Sequence, residues 1–137
     1  MTNGNDARWQ QRLENFGKAM THFEDACSLE KYSDLERSGL VQVFQFTFEL
    51  AWKTLKDLLV FEGYPVKSPR ETLRQGFDSG YLSEEDAESL LDALEKRNLL
   101  THTYQEAIAH EAERLIRHRY ANAIRQLYDS LHRKQAP

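Results

Sequence analysis

The sequence FQFTFELAWKTLKDLL, residues 44–59, has the three- and four-residue spacing of apolar side chains that is typical of an α-helix. Ser33 and Glu36 have the spacing of a capping box, and Gly63 suits a C-terminal cap, so the pattern predicts one long helix between them. Phe46 and Trp52 lie on other faces of this helix. We therefore expect it to be buried between neighbours, at the centre of a bundle or in a dimer interface.

Four more segments have helical periodicity. A first helix is predicted from about Asp6 to Leu29, with an apolar stripe that includes Trp9, Phe16, Phe23 and Cys27. Ser68-Pro69-Arg70-Glu71 combines an N-cap, an N1 proline and a capping-box glutamate, which predicts a short helix with apolar Leu73 and Phe77 that ends near Gly80.

A further helix should begin at Ser83 and end near Arg97. Thr103 and Glu106 have capping-box spacing and predict the start of a long final helix. Four principal helices and a short accessory helix indicate an all-α, up-and-down four-helix bundle.

The bulk properties predict a small globular protein. A length of 137 residues fits a single domain over residues 1–137, with a core at about 6–132. No apolar run approaches the roughly 20 residues that cross a bilayer, so we expect no membrane association. Cys27 is the only cysteine, which excludes an intrachain disulfide and makes the cytoplasm the expected compartment.

The net charge of −4 argues against a general nucleic-acid binder, but the charge is unevenly distributed. From Gln105 onward, six basic residues face four acidic ones, so this part is +2 and the rest is −6. The final helix could therefore present a local basic surface, or simply an ordinary solvated face.

The octapeptide RNLLTHTY, residues 97–104, contains the candidate functional residues. On an uninterrupted helix Arg97 and His102 would lie about 140° apart, whereas a break between two helices could bring them together. With Thr103 as N-cap, His102 would lie just outside the final helix and Tyr104 in its first turn, where free N–H groups favour an anion such as phosphate.

These residue types suit phosphodiester chemistry. Histidine can take a proton from a 2′-hydroxyl or give one to the leaving oxygen, and arginine can hold the phosphate through two hydrogen bonds. No metal or other cofactor is needed for that chemistry. The alternative interpretation is that Arg97 and His102 are ordinary helix-terminal residues that interact with the last carbonyl groups.

The octapeptide resembles the signature of HEPN-domain ribonucleases, an arginine, four residues, a histidine, one residue and a tyrosine, especially in toxins of the HepT type. Together with FQFTFELAWKTLKDLL and SPRETLRQGF, it is similar to the nucleotidyltransferase substrate-binding branch of that superfamily, over roughly residues 8–128. The resemblance implies a HEPN-like homodimer, a small nucleotidyltransferase as partner and RNA as substrate. It also implies catalytic roles for Arg97 and His102, a supporting role for Asn98 and modification of Tyr104 with AMP.

Two functions remain open from the sequence. One is a metal-independent ribonuclease toxin that is restrained by the nucleotidyltransferase, and the other is a non-catalytic subunit that presents a substrate to that enzyme. Intact Arg97 and His102 favour the nuclease, because an adaptor has no chemical need for both groups. A stand-alone structural helical dimer is a weaker third possibility.

Other polar and aromatic residues are expected to have structural roles. His110-Glu111 begins like a zinc-protease motif, but Arg114 stands where the second histidine is required. We expect surface or packing roles for the remaining histidines, core or interface roles for the aromatic residues of the second helix, and a buried, inert Cys27. The histidines in question are His22, His118 and His132.

Overall fold

The structure, a computed structural model, describes residues 4–135, and these form a bundle of α-helices. The α-helices are α1 (Gly4–Cys27), α2 (Asp34–Phe61), α3 (Pro69–Asp78), α4 (Glu84–Glu95), α5 (Glu106–Leu115) and α6 (Ala121–Gln135). A 3₁₀ turn at Leu99–His102 lies between α4 and α5, and a π-helical turn at Ile116–Tyr120 joins α5 to α6 without a break. We call α5, the π-helical turn and α6 together the final helix.

Helix α2 is central to the packing. It lies along α1 and also contacts α3, α5 and α6, while α6 packs against both α1 and α4. Short α3 fills the corner between α2 and α4. The predicted all-α bundle is confirmed. No helix within residues 4–135 is both long enough and apolar enough to cross a membrane.

The predicted helix starts before α2, α3 and α4 are confirmed. Ser33 accepts from Glu36 N at 3.1 Å and its own N–H donates to the Glu36 carboxylate at 2.9 Å, and this capping lowers the Glu36 pKa. Ser68 and Glu71 form the same pair of bonds, and the Ser83 hydroxyl caps α4. Each bond satisfies an N–H that the first helical turn leaves unpaired.

The capping box predicted at Thr103 and Glu106 is wrong. Thr103 has φ −70° and ψ −3°, a helical conformation, because the 3₁₀ turn runs into it. An N-cap needs extended backbone, and Gln105 has it, with φ −85° and ψ 122°. The final helix therefore begins at Glu106, and Tyr104 lies in the turn before it rather than in its first turn.

Several side chains are less buried than their spacing predicted. Phe46 of α2 is 62% exposed and Phe77 of α3 is 43% exposed, while Trp52 is half-buried. Cys27 is half-buried, and desolvation raises its pKa to about 11 although the charge of Arg117 opposes this. A thiol with so high a pKa stays protonated at neutral pH, which agrees with the predicted lack of reactivity.

Candidate functional site

The chain breaks after α4, as the octapeptide predicted. Leu100 N still donates to the carbonyl four residues back, that of Lys96, at 3.0 Å, whereas Thr101 N donates to the carbonyl three residues back, that of Asn98, at 3.2 Å, so the backbone tightens into a 3₁₀ turn there. Leu100 is 2% exposed and anchors this turn in the core. The break separates Arg97, on the last turn that follows α4, from His102 at the end of the 3₁₀ turn.

His102 and Tyr104 are brought into direct contact. His102 Nδ1 lies 3.1 Å from the Tyr104 hydroxyl, and the two rings meet edge to face with centroids 5.7 Å apart. Both side chains are exposed, Tyr104 by 78%. The tyrosine engages Nδ1. The opposite ring nitrogen, Nε2, has no hydrogen-bond partner within residues 4–135 and can therefore exchange a proton with a ligand.

Arg97 and Asn98 line a pocket of about 210 Å³ at the junction of α2, α4 and the 3₁₀ turn, which we call the α2–α4 pocket. Its lining residues are Phe44, Gln45, Phe48, Glu49, Ala93, Arg97, Asn98, Leu100 and Thr101. Neither His102 nor Tyr104 lines it, and no hydrogen bond joins Arg97 to His102 within residues 4–135. In a single chain, the candidate site therefore consists of an arginine at a pocket and a histidine–tyrosine pair on the adjoining turn.

A polar cluster around Asp92 was not predicted from the sequence, and it joins the buried Tyr120 to the half-buried Asp92 and Lys96 and the exposed Arg119. Asp92 Oδ2 accepts from the Tyr120 hydroxyl at 2.5 Å, from Arg119 at 3.0 Å and from Lys96 at 3.1 Å. Burial disfavours the Asp92 carboxylate, but these donors outweigh it and lower its pKa. Burial, reinforced by the hydrogen bond to Asp92, raises the pKa of Tyr120.

This cluster supports the segment that carries the candidate residues. Lys96 binds Asp92 through its ammonium group, and its carbonyl accepts from the N–H of Leu100, which lies in the 3₁₀ turn. The Tyr120 ring stacks on Phe44, which lines the α2–α4 pocket, with centroids 5.5 Å apart. Nothing in the sequence near residues 92 and 120 indicates that they meet.

The basic residues of the final helix do not form a free cationic face. Of its six lysine and arginine residues, all within the described part of the chain, five form ion pairs with acidic side chains. The pairs are Arg114–Glu111, Arg117–Glu113, Arg119–Asp92, Arg125 with Glu24 and Asp129, and Lys134–Glu62. Of the two interpretations of this helix, the structure favours the ordinary solvated face.

Comparison with known proteins gives a family and a solved relative. Residues 11–133 match the family model described as "Nucleotidyltransferase substrate binding protein like". A crystal structure of a protein from Thermus thermophilus is 32% identical in sequence and superimposes with a TM-score of 0.77, covering 88% of this chain and 99% of that one. No protein of curated function matches the chain significantly.

Proposed function

We propose, because the chain belongs to the nucleotidyltransferase substrate binding protein-like family, that it acts with a small nucleotidyltransferase as a HEPN-type ribonuclease toxin. In this proposal the protein is a homodimer that cuts RNA without a metal ion. Arg97 and His102 are the catalytic residues, Asn98 supports the site, and the nucleotidyltransferase inactivates the toxin by adding AMP to Tyr104.

The observation that carries the proposal is the 3.1 Å contact between His102 Nδ1 and the Tyr104 hydroxyl on an exposed turn. When Nδ1–H of a neutral ring donates to the tyrosine oxygen, Nε2 has a free electron pair and can accept the proton of the 2′-hydroxyl. The ring is then doubly protonated, and Nε2–H can give its proton to the leaving 5′-oxygen, which returns the ring to its neutral form. The contact thus orients one ring nitrogen toward solvent for proton transfer.

The cleavage step needs no group beyond these. The 2′-oxygen attacks the adjacent phosphorus as its proton leaves, the bond from phosphorus to the 5′-oxygen breaks, and a 2′,3′-cyclic phosphate and a 5′-hydroxyl result. Arg97, an exposed guanidinium at the rim of the α2–α4 pocket, would bind the phosphate and stabilise its added negative charge.

A homodimer would bring four such groups into one cleft. A single chain places Arg97 and His102 on adjoining surfaces without a bond between them, so a second copy can supply the complementary residue. The two motifs would then act across the interface rather than within one protomer.

Tyr104 is placed for modification by a partner enzyme. Its side chain is 78% exposed, so its oxygen can attack the α-phosphorus of ATP in the partner's site, with loss of the phenolic proton and release of pyrophosphate. The product is a phosphodiester that places a nucleotide and a negative charge where RNA phosphate must approach. Occupancy and charge repulsion would together switch the nuclease off.

The second candidate function is a non-catalytic subunit that presents a substrate to the nucleotidyltransferase. The description of the family favours it directly. In this alternative Arg97 contributes to binding, and the ring nitrogens of His102 have no chemical role. The two functions therefore differ in the effect of removing His102.

The deciding experiment is cleavage of total cellular RNA by the purified protein in the presence of a metal chelator. We expect cleavage by the wild-type protein and at least a hundredfold slower cleavage by Arg97→Ala and His102→Ala, because each removes a chemical group and not core volume. Arg133→Ala and His118→Ala remove the same groups from other exposed positions and should cleave like the wild type. An inactive wild-type protein that still binds its nucleotidyltransferase would establish the adaptor function instead.

A further inference from the structure

The α2–α4 pocket has a floor and a rim of different character. Phe44, Phe48 and Leu100 are each at most 6% exposed and, with Ala93, give the pocket an apolar floor. Its volume of about 210 Å³ suits one planar ring system rather than a larger ligand. An apolar cavity with a few polar groups at its edge is the usual form of a site for a small organic group.

One polar group at the rim is held in a fixed position. Glu49 Oε2 accepts from the Trp52 indole N–H at 3.0 Å and pairs with Lys53 at 3.5 Å. The other carboxylate oxygen, Oε1, has no hydrogen-bond partner within residues 4–135. Glu49 lines the pocket, and Oε1 can therefore accept a hydrogen bond from a ligand there.

The rest of the rim offers groups of both kinds. The side-chain amides of Gln45 and Asn98 can donate and accept. The Thr101 hydroxyl already donates to the backbone carbonyl of Asn98 at 2.6 Å. Arg97 adds a cation at the same edge. The apolar floor suits a planar ring, Glu49 suits N–H groups on the edge of that ring, and Arg97 suits a phosphate attached to it.

We infer that the α2–α4 pocket binds one nucleobase of the RNA beside the phosphate that Arg97 holds, and that it selects bases with an exocyclic amino group. This inference rests on the proposed ribonuclease function and adds the base specificity of its substrate. Adenine, cytosine and guanine can each donate from the amino group to Glu49. Uracil has none, and its one N–H on that edge lies between two carbonyl oxygens that the carboxylate would repel.

Glu49 also excludes other occupants of the pocket. A phosphate at this position would be repelled by the carboxylate, so the phosphate belongs at Arg97 and the base at Glu49. Glu49 is the single carboxylate among the lining residues, which is too few for a hard divalent cation.

Binding can be measured without cleavage by using 2′-deoxy trinucleotides of adenine, cytosine, guanine or uracil, which lack the attacking hydroxyl. The Trp52 indole N–H gives its own NMR signal and bonds directly to Glu49, so it reports on the pocket. We expect this signal to shift, and the uracil trinucleotide to bind about tenfold more weakly than the other three. A hydrogen bond to a charged group contributes about that factor or more.

The variant Glu49→Gln tests the source of the preference. Its side-chain amide can donate to the uracil carbonyl, so the tenfold preference should largely disappear while the fold stays intact, since the Glu49 side chain is 44% exposed. Glu14→Gln removes an equally charged, exposed group from α1, outside the α2–α4 pocket, and should keep the preference.

Three results would overturn the inference. The first is binding of the uracil trinucleotide as tight as that of the other three, and the second is an unchanged base preference in Glu49→Gln. The third is a Trp52 signal that responds to none of the four trinucleotides, which is expected if a second protomer fills the pocket. Failure of the ribonuclease proposal would look different. Selective trinucleotide binding without RNA cleavage would refute the ribonuclease function and support the base-binding pocket. RNA cleavage with no base preference in binding would support the ribonuclease function and refute the base-binding pocket.

Discussion

At the scale of single residues, Tyr104 is the most exposed of the tyrosines. It is 78% exposed, and its hydroxyl contacts His102. We therefore predict that co-expression with the cognate nucleotidyltransferase adds one or more adenylate units to the Tyr104 peptide, as measured by mass spectrometry. Tyr104→Phe should remain toxic and resist this neutralisation. If the partner leaves the Tyr104 peptide unmodified and still neutralises both proteins equally, Tyr104 is not the control point.

Asp92 and Tyr120 give a second prediction, on stability. Tyr120→Phe removes a buried hydroxyl that donates to a carboxylate at 2.5 Å, so it should lower the free energy of unfolding by about 2 kcal/mol in chemical denaturation. The Phe44 stacking surface is kept. Tyr104→Phe removes an exposed hydroxyl and serves as the control, with a change near zero. Equal stability of the two variants would show that the buried bond contributes nothing net.

The lowered pKa of Asp92 makes this contribution depend on pH. A carboxyl group whose pKa is lower in the folded state stabilises the fold above its unfolded pKa of about 3.9, and this stability is lost as the pH falls through the folded value. Melting temperatures measured from pH 7 down to pH 3 should therefore fall less steeply below about pH 5 for Asp92→Asn than for the wild type. A steeper acid loss in Asp92→Asn would contradict this assignment.

At the scale of helices, two glycines should respond to the same substitution in opposite directions. Gly39 lies within α2, and a methyl group there would meet nothing within 4 Å, so Gly39→Ala should stabilise the protein by about 1 kcal/mol. Gly63 follows α2 with φ +99°, where a side chain is strained. Gly63→Ala should destabilise by about 1 kcal/mol. Thermal melts of both variants measure the effect, and a shift in the same direction would contradict the assigned backbone states.

Whether a helix start could be predicted from the sequence depends on how far apart in the sequence the interacting residues lie. Ser33, Ser68 and Ser83 cap their helices through residues three positions away, so the signal is local and the helix starts are predictable. The start of the final helix at Glu106 could not be predicted, because the buried Leu100 and the 3₁₀ turn hold Thr103, the predicted N-cap, in a helical conformation. A contact in the core overrides the local capping pattern there.

The same division applies to the candidate site. The spacing of Arg97, His102 and Tyr104 identified the octapeptide, and the break within it is confirmed. Glu49 and Asp92 were missed, because one reaches the site from another helix and the other meets Tyr120 across 28 positions of sequence. Neither has a pattern of its own that separates it from the other acidic residues of α2 and α4.

At the scale of the whole molecule, the exposed aromatic side chain on α2 bears on assembly. Phe46 is 62% exposed and lies with Ala19, His22 and Val43 at a mainly apolar groove between α1 and α2. We predict a homodimer of 16.1 kDa chains at tens of micromolar, and a Phe46→Glu variant that sediments as a monomer with unchanged helicity. Phe77→Glu, at an aromatic residue of similar exposure on α3, is the control and should remain dimeric. A wild-type monomer at that concentration would remove the basis for a cleft shared between two copies.

The π-helical turn at Ile116–Tyr120 marks the point at which the final helix tolerates a change in its length. It accommodates one residue more than an α-helical turn, and Arg119 and Tyr120 reach Asp92 from it. Deleting the exposed His118 would let the backbone close as regular α-helix, while the residues on either side of the turn keep approximately their faces. The same deletion elsewhere in the final helix would rotate all the following residues by about 100°, so this turn is where homologous chains can differ in length by one residue.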